Sequence, residues 1–504
     1  MSNIADMFFR AAKKYPEHVA IIHRGRSITY ADLAVQVMST AAYFRSRGLD
    51  RGDRVLVFVP MGIDLYRVVL ALFSIGAGAV FLDAWVGWKR MELCCELARC
   101  KGLVGGWKIR ALARLSGPLR RIPIKLGTAM PPVSVCGTEP VDPDATALIT
   151  FTTGSTGRPK AARRSHAFLA AQFDALTEEI APTPADVDMT TLPIVLFLNL
   201  GVGCTSVIPD FDPRKPDSFR AEVIIAELRR HQVDRLTASP AQVLAIAASV
   251  RASGADVPAL KRLFTGGAPV FPRDAEVMAA AFPGVEVEVV FGSTECEPIS
   301  SITAARLVKD HGSVDKGLCV GEIFRRTALR IIRIDDGPLP TTTTAGLDAM
   351  TVDTGTIGEI IVSGDHVLRS YFNDEEAFRR NKIIVDGTVW HRTGDSGFVD
   401  ERGLLFLTGR CAQLIRQGSA LLAPFVWEDR LLRQEGVVRG TLVGRGTDTI
   451  AVLQVVPGCD RRSLRDRLLS AHPELAAVEF IGRMPMDPRH RSKIDHEALR
   501  RRLG

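Results

Sequence analysis

The chain has no Cys-x-x-Cys pair. Its nine cysteines, at 94, 95, 100, 136, 204, 296, 319, 411 and 459, are odd in number and scattered. Neither a zinc knuckle nor a disulfide framework is predicted, and reduced cytoplasmic thiols are expected. The opening MSNIADMFFRAAKKYPE lacks the charged-then-apolar order of a secretory signal. There is no internal repeat and no low-complexity tract. No aromatic-and-basic motif of the nucleic-acid-binding kind occurs either, so nucleic acid is not an expected partner. One segment, residues 190–209, runs 20 residues without a charge. It contains two prolines, an Asn and two glycines, so a buried strand–loop–helix unit is predicted there rather than a transmembrane span.

What is present is ordinary globular material. The 504 residues are 46% hydrophobic and 24% charged, which excludes a disordered chain, a collagen and a disulfide-knotted mini-protein. Lys and Arg number 64 against 57 Asp and Glu, a net of +7. The last 94 residues hold 16 of the basic and 11 of the acidic groups. That excess reads either as a solvated surface or as a lid that meets an anion such as ATP, pyrophosphate or an acidic carrier protein.

The order of elements is regular. The first stretch reads as helix, strand pair, helix, with SITYADLA (27–34) a short strand running into a helix start. VLVFVP (55–60) is a continuous apolar run that fits a buried parallel strand. GIDLYRVVLALFSIGAGAVFLD then reads as helix, glycine turn and strand, and DRLTASPAQVLAIAASV (234–250) continues the alternation. This predicts an α/β fold built on mixed, mostly parallel sheets with packed helices. After about residue 350 short strands and turns take over, and GPLPTTTTAG (337–346) reads as a loop. Beyond Arg410 the pattern becomes a smaller α+β unit. A large N-terminal domain over 1–410 and a small, mobile C-terminal domain over 411–504 are expected.

The strongest local signal is TFTTGSTGRPK at 150–160. Small hydroxyl residues and two glycines lie between a strand and a helix. Such a loop can turn backbone N–H groups and hydroxyls toward phosphate oxygens, and Lys160 adds charge. It is not a Walker A loop, because Arg158 and Pro159 separate Gly157 from Lys160 and no Ser or Thr follows.

This string resembles the phosphate loop of the adenylate-forming superfamily, which contains acyl-CoA synthetases, peptide-synthetase adenylation domains and luciferases. Further matches follow in family order. They are GAGAVFLD (76–83), GGAPV (266–270), FGSTE (291–295), HRTGD (391–395) with TGR (408–410), and PMDPRHRSKID (485–495). The resemblance implies ATP and Mg²⁺ as cofactors. It implies that Thr152, Thr153, Gly154, Ser155, Thr156, Gly157 and Lys160 hold the β- and γ-phosphates. Gly267, Ala268 and Pro269 would lie along the adenine, beside Phe291 and Gly292. Thr294 would meet the α-phosphate, and Glu295, with Thr156, would meet the metal. Asp395 and Arg410 would take the ribose, and Lys493 would bridge carboxylate and α-phosphate. Taken singly, Glu295 reads equally as a surface acid, Asp395 as a turn residue and Lys493 as a solvated tail lysine.

LPIVLFLNLGVGCTSVIPDFDPRKP (192–216), FGSTECEPISSI (291–302) and LRIIRIDDGPLP (329–340) are similar to the β-lactone synthetases of bacterial olefin biosynthesis. That likeness implies a hydrophobic carboxylic acid as substrate and closure of a β-hydroxy acid without CoA. Phe197, Asn199, Gly292, Cys296 and His166 are the expected pocket residues, with His166 open to a plain packing role. The subgroup resemblance implies an Asp where this chain has Asn199. After Arg410 the run GRCAQLIRQGSALLAP departs from thiol-acylating relatives. Their hinge acid is Ala412 here, and Ser419 replaces the tunnel glycine with Gly418 one place early. The resemblance implies that Glu428 keeps the acidic position further on. Transfer to CoA or an acyl-carrier protein stands as the competing second step.

Overall fold

The computed structural model describes residues 3–82, 88–132, 134, 136–153, 159–212, 218–310, 316–418, 420–487 and 492–503. A large sheet-rich N-terminal domain is followed by a smaller C-terminal one. The first stretch folds as its pattern predicts. Thr29 ends the strand Arg26–Thr29 and caps the helix Tyr30–Ser46, its side chain accepting from the Asp32 N–H.

Two sheets organise the large domain. In the smaller one, strands Ile124–Leu126, Gly102–Gly105, Arg54–Phe58, Gly78–Phe81 and Thr146–Thr153 run parallel in that spatial order. Pro159–Ser165 closes the row antiparallel. Of the apolar run at 55–60, Val55, Leu56 and Val57 are buried in the strand Arg54–Phe58, as a central parallel strand requires. The larger sheet changes character midway. Strands from Val19–His23 to Glu286–Ser293 pair in parallel. From Cys296–Thr303 onward every pairing in the row is antiparallel. The shift to short strands and turns late in the sequence is this antiparallel half.

The uncharged run at 190–209 is a short helix and a strand. Pro193 opens the helix Pro193–Val202, and Gly203 closes it in the left-handed conformation. The strand Thr205–Ile208 follows. Among the described residues no helix is long and apolar enough to cross a membrane.

Past Arg410 the chain makes a short 3₁₀ turn over Cys411–Gln413. A hairpin and a three-stranded sheet around Trp427 and Leu431 follow. This unit sits on the large domain. Phe425 meets Phe271 edge-on with ring centroids 6.0 Å apart. Arg273 Nη1 donates to the carbonyls of Leu432 and Val437, at 2.9 and 3.2 Å. Gly409 makes that approach possible: its φ is 135°, and a Cβ there would lie 3.0 Å from Pro424 Cδ.

Candidate active site

In the larger sheet, strands Val187–Thr190, Arg235–Ala238, Arg262–Gly266 and Glu286–Ser293 point the same way. Their carboxyl ends therefore share one edge, the position where open α/β sheets bind ligands. Gly266 ends one strand, and a Cβ on it would stand 2.4 Å from the Val290 carbonyl oxygen. Gly267, Ala268 and Pro269 follow on the surface side of that end. Phe291 and Gly292 end the neighbouring strand.

Thr294 and Glu295 form the tip of a tight hairpin whose last pair is Ser293 with Cys296. Ser293 Oγ holds this turn by accepting from the N–H groups of Glu295 and Cys296, both at 3.2 Å. Residues 367–372 join this hairpin to the smaller sheet. Leu368 N–H donates to the Glu295 carbonyl at 2.7 Å, and Phe372 N–H donates to the Ala161 carbonyl at 2.8 Å. The Tyr371 hydroxyl donates to Glu295 Oε1 at 3.2 Å. Arg164 adds a second tie, from Nη2 to the Thr294 carbonyl at 3.0 Å.

Lys160 comes to the same place from the other sheet. Its backbone pairs with Thr152 across the hairpin that carries the phosphate loop. Gly154, Ser155, Thr156 and Gly157 lie outside the described residues, as do the side chains of Thr152 and Thr153. Lys160 Nζ donates to Asn381 Oδ1 at 2.8 Å. Burial lowers its pKa, and nearby Glu295 opposes that shift.

Asp395 and Arg410 face each other on adjacent strands, with Arg410 Nε 3.2 Å from Asp395 Oδ1. Arg410 Nη1 also donates to the Thr393 carbonyl at 2.9 Å. Behind them the buried Arg392–Glu359 pair, at 2.6 and 3.0 Å, anchors the strand Thr388–Val399.

Lys493 belongs to a loop closed by two backbone-directed bonds. Its N–H donates to Asp487 Oδ1 at 3.0 Å, and its carbonyl accepts from the Asp487 N–H at 2.8 Å. Next to it, Ser492 Oγ accepts from the Ala241 N–H at 3.2 Å. Ala241 stands in the first turn of the helix Pro240–Ser253, directly after the strand Arg235–Ala238. The C-terminal domain thus brings Lys493 to the carboxyl edge of the parallel strands. Pro488 to Arg491 lie outside the described residues.

Of the expected pocket residues, Asn199, His166 and Cys296 are buried in packing contacts. Asn199 does not face a pocket. It is fully buried, and Nδ2 donates to Asp188 Oδ2 at 2.8 Å and to Ser206 Oγ at 3.2 Å. A helix packed on a sheet turns this side chain inward, and a buried amide takes the polar partners it finds there. His166 stands at the far end of the strand Pro159–Ser165 from Lys160, about 20 Å away at the usual rise per residue. Its Nδ1 accepts the Ile4 N–H at 3.1 Å, its ring meets Phe73 edge-on, and burial lowers its pKa to about 4. The packing role is the one it takes. Phe197 also packs edge-on against Phe73, at 5.8 Å. The Cys296 sulfhydryl is buried against the Pro298 carbonyl, and burial pushes its pKa far up, so it is an inert core thiol. Glu428 is buried inside the C-terminal domain, accepting from Thr441 Oγ1 at 2.9 Å.

Lys382 carried no signal in the sequence. It is fully buried, donates to the Leu368 carbonyl and lies 5.6 Å from the centre of the Tyr371 ring. Burial pushes it down to about 7, against the pull of Glu295 and Cys296. It therefore braces the 367–372 segment that holds Glu295. The bond to Leu368 and the contact with the Tyr371 ring reveal this.

Residues 8–372 match the family described as AMP-binding enzyme. An olefin beta-lactone synthetase of Stenotrophomonas maltophilia is 28% identical over 99% of this chain and 97% of its own. A feruloyl-CoA synthase of an Amycolatopsis species is 28% identical over 98% of both chains. Among solved structures, ATP-bound MatB from Rhodopseudomonas palustris superposes with a TM-score of 0.83 over 99% of both chains at 22% identity, a likeness of fold.

Proposed function

The chain belongs to the AMP-binding enzyme family and is an adenylate-forming acid ligase; from that premise we propose that it activates a hydrophobic β-hydroxy acid with ATP and closes it to a β-lactone. The carrying observation is that Lys160 lies within electrostatic reach of Glu295 and of Arg410, the partner of Asp395, while the Lys493 loop docks at the end of a parallel strand, although these residues are scattered over 334 positions of sequence.

The chemistry is a problem of charge. A carboxylate oxygen must attack the α-phosphorus of ATP while pyrophosphate leaves. Lys160 meets the β- and γ-phosphates, and Lys493 bridges the attacking carboxylate and the α-phosphate as charge builds between them. Asp395 accepts from the ribose hydroxyls. Among the described residues no cluster of three metal-ligating side chains exists. A lone carboxylate with phosphate oxygens is the donor set that suits Mg²⁺, and Glu295 would supply the carboxylate. Mg²⁺ would neutralise phosphate charge there. In the second step the substrate's own hydroxyl oxygen attacks the acyl carbon. The bond to the AMP phosphate oxygen breaks, AMP leaves, and the hydroxyl proton passes to solvent. Holding both groups in one molecule makes this closure competitive.

The end-to-end likeness to a β-lactone synthetase and the altered run after Arg410 favour closure. The equally extensive likeness to a feruloyl-CoA synthase supports a second reading, transfer to a thiol. Mass spectrometry of products from 3-hydroxy acids and their 2-alkyl forms, with ATP and Mg²⁺, distinguishes them. Loss of water with AMP release, independent of CoA, is expected. Acyl-adenylate that discharges only when a thiol is supplied would replace closure by ligation.

A further inference from the structure

Positive charge is concentrated away from the site just described. Residues 97–138 hold eight Lys and Arg and no Asp or Glu, so the rest of the chain sums to −1. Within this stretch the short helix Trp107–Leu112 and the turn after it are inverted in polarity. Ile109, Ala113 and Ser116 face the core. The outer face presents Trp107 at 69% exposure, Leu112 at 46% and Leu115 at 82%. Exposed Lys108, Arg114, Arg120 and Arg121 flank these side chains. Lys108 Nζ lies 5.7 Å from the Trp107 ring centre. Two acids of the neighbouring helix Trp88–Ala98 reach this surface. Glu92 accepts from Ser116 Oγ at 2.6 Å, and Glu96 stands 3.9 Å from Arg121.

Projecting Trp and Leu side chains amid cations match the interface of an anionic bilayer. Hydrocarbon takes the apolar tips, and headgroup phosphates meet the Lys and Arg. We infer that this face docks the enzyme on an anionic lipid surface. The mode is peripheral. The face follows the carboxyl end of the strand Gly102–Gly105, three strands from Thr146–Thr153 in the same parallel row. Docking would therefore set the phosphate-loop edge, about 15 Å along the row, near the membrane plane. None of this depends on the acyl chemistry proposed above.

Flotation of the full chain with vesicles tests it. Binding is expected to phosphatidylcholine vesicles that contain phosphatidylglycerol, not to phosphatidylcholine alone, and high salt should release it. Reversing Arg114, Arg120 and Arg121 to Glu should weaken partitioning by about a hundredfold or more. Trp107→Ser with Leu115→Ser should weaken it without abolishing the salt dependence. Pyrophosphate release with a water-soluble acid should stay unchanged in both variants, showing that they fold. No flotation at low salt, equal flotation on neutral vesicles, or full flotation of the charge-reversed variant overturns the inference. So does capture by an acidic carrier protein with no vesicle binding.

Discussion

Asp188→Asn isolates one buried carboxyl and makes a numerical test of the polar knot under the helix Pro193–Val202. Asp188 is fully buried on the strand Val187–Thr190. It accepts from Asn199 at 2.8 Å and, weakly, from Thr237 Oγ1 at 3.4 Å. Burial raises its pKa from 3.8 to about 6, because two donors and the field of Arg235 do not replace the water it lost. The folded state therefore holds this proton more tightly than the unfolded state. The group's contribution to stability is complete below pH 3.8 and is lost as pH rises through about 6. A displacement of about two pH units corresponds to about 3 kcal/mol. For a chain of this length that is about 3 °C in melting temperature. An Asn side chain keeps an acceptor for Asn199 and does not ionise. It also brings an amide donor beside Asn199 Oδ1, which has no hydrogen-bond partner in the native knot. The unfolded carboxyl is already largely ionised at pH 4.5, so the melting temperature of Asp188→Asn minus that of the native chain should rise by about 2 °C between pH 4.5 and 7.5. Scanning calorimetry at matched ionic strength measures it, and taking the difference cancels other titrations. A difference that stays flat across the range would mean that Asp188 is ionised throughout and that the knot is held by a carboxylate.

Tyr371→Phe deletes the hydroxyl that donates to Glu295 and leaves the ring in place. Bonds to charged groups contribute about 1.5–3 kcal/mol, so kcat/KM for pyrophosphate release should fall by about tenfold or more with a raised Mg²⁺ requirement. Unchanged Mg²⁺ dependence would remove Tyr371 from the orientation of Glu295. Lys493→Ala should slow adenylate formation by about 10²–10³-fold while equilibrium binding of ATP stays close to native. Equal loss of both would contradict the bridging role. Lys382 is protonated in the unfolded chain up to about pH 10 and in the folded one only up to about 7. The stability of the native chain relative to Lys382→Met should therefore rise between those two pH values, as paired melting curves at pH 6 and 9 would show.

Short-range pattern carried much of this protein. The alternation of elements, the capped start of the helix Tyr30–Ser46 and the ordered strings around Lys160, Glu295, Asp395 and Lys493 are all legible in the chain. They are legible because helices, strands and turns depend on residues two to four places apart. The direction of a side chain after the chain has packed is another matter. Asn199 lies in an apolar helix that suits a pocket wall, yet register turns its amide to Asp188. His166 follows the phosphate hairpin in sequence, and an extended strand carries it to the opposite end of the sheet. Lys382 sits in an ordinary basic-then-apolar run and becomes a brace only when folding brings Leu368 and Tyr371 against it. The docking of Ser492 on Ala241 joins positions 251 residues apart. Contacts of that span are set by sheet register and by which faces the core buries, and neither quantity exists until the tertiary structure has formed.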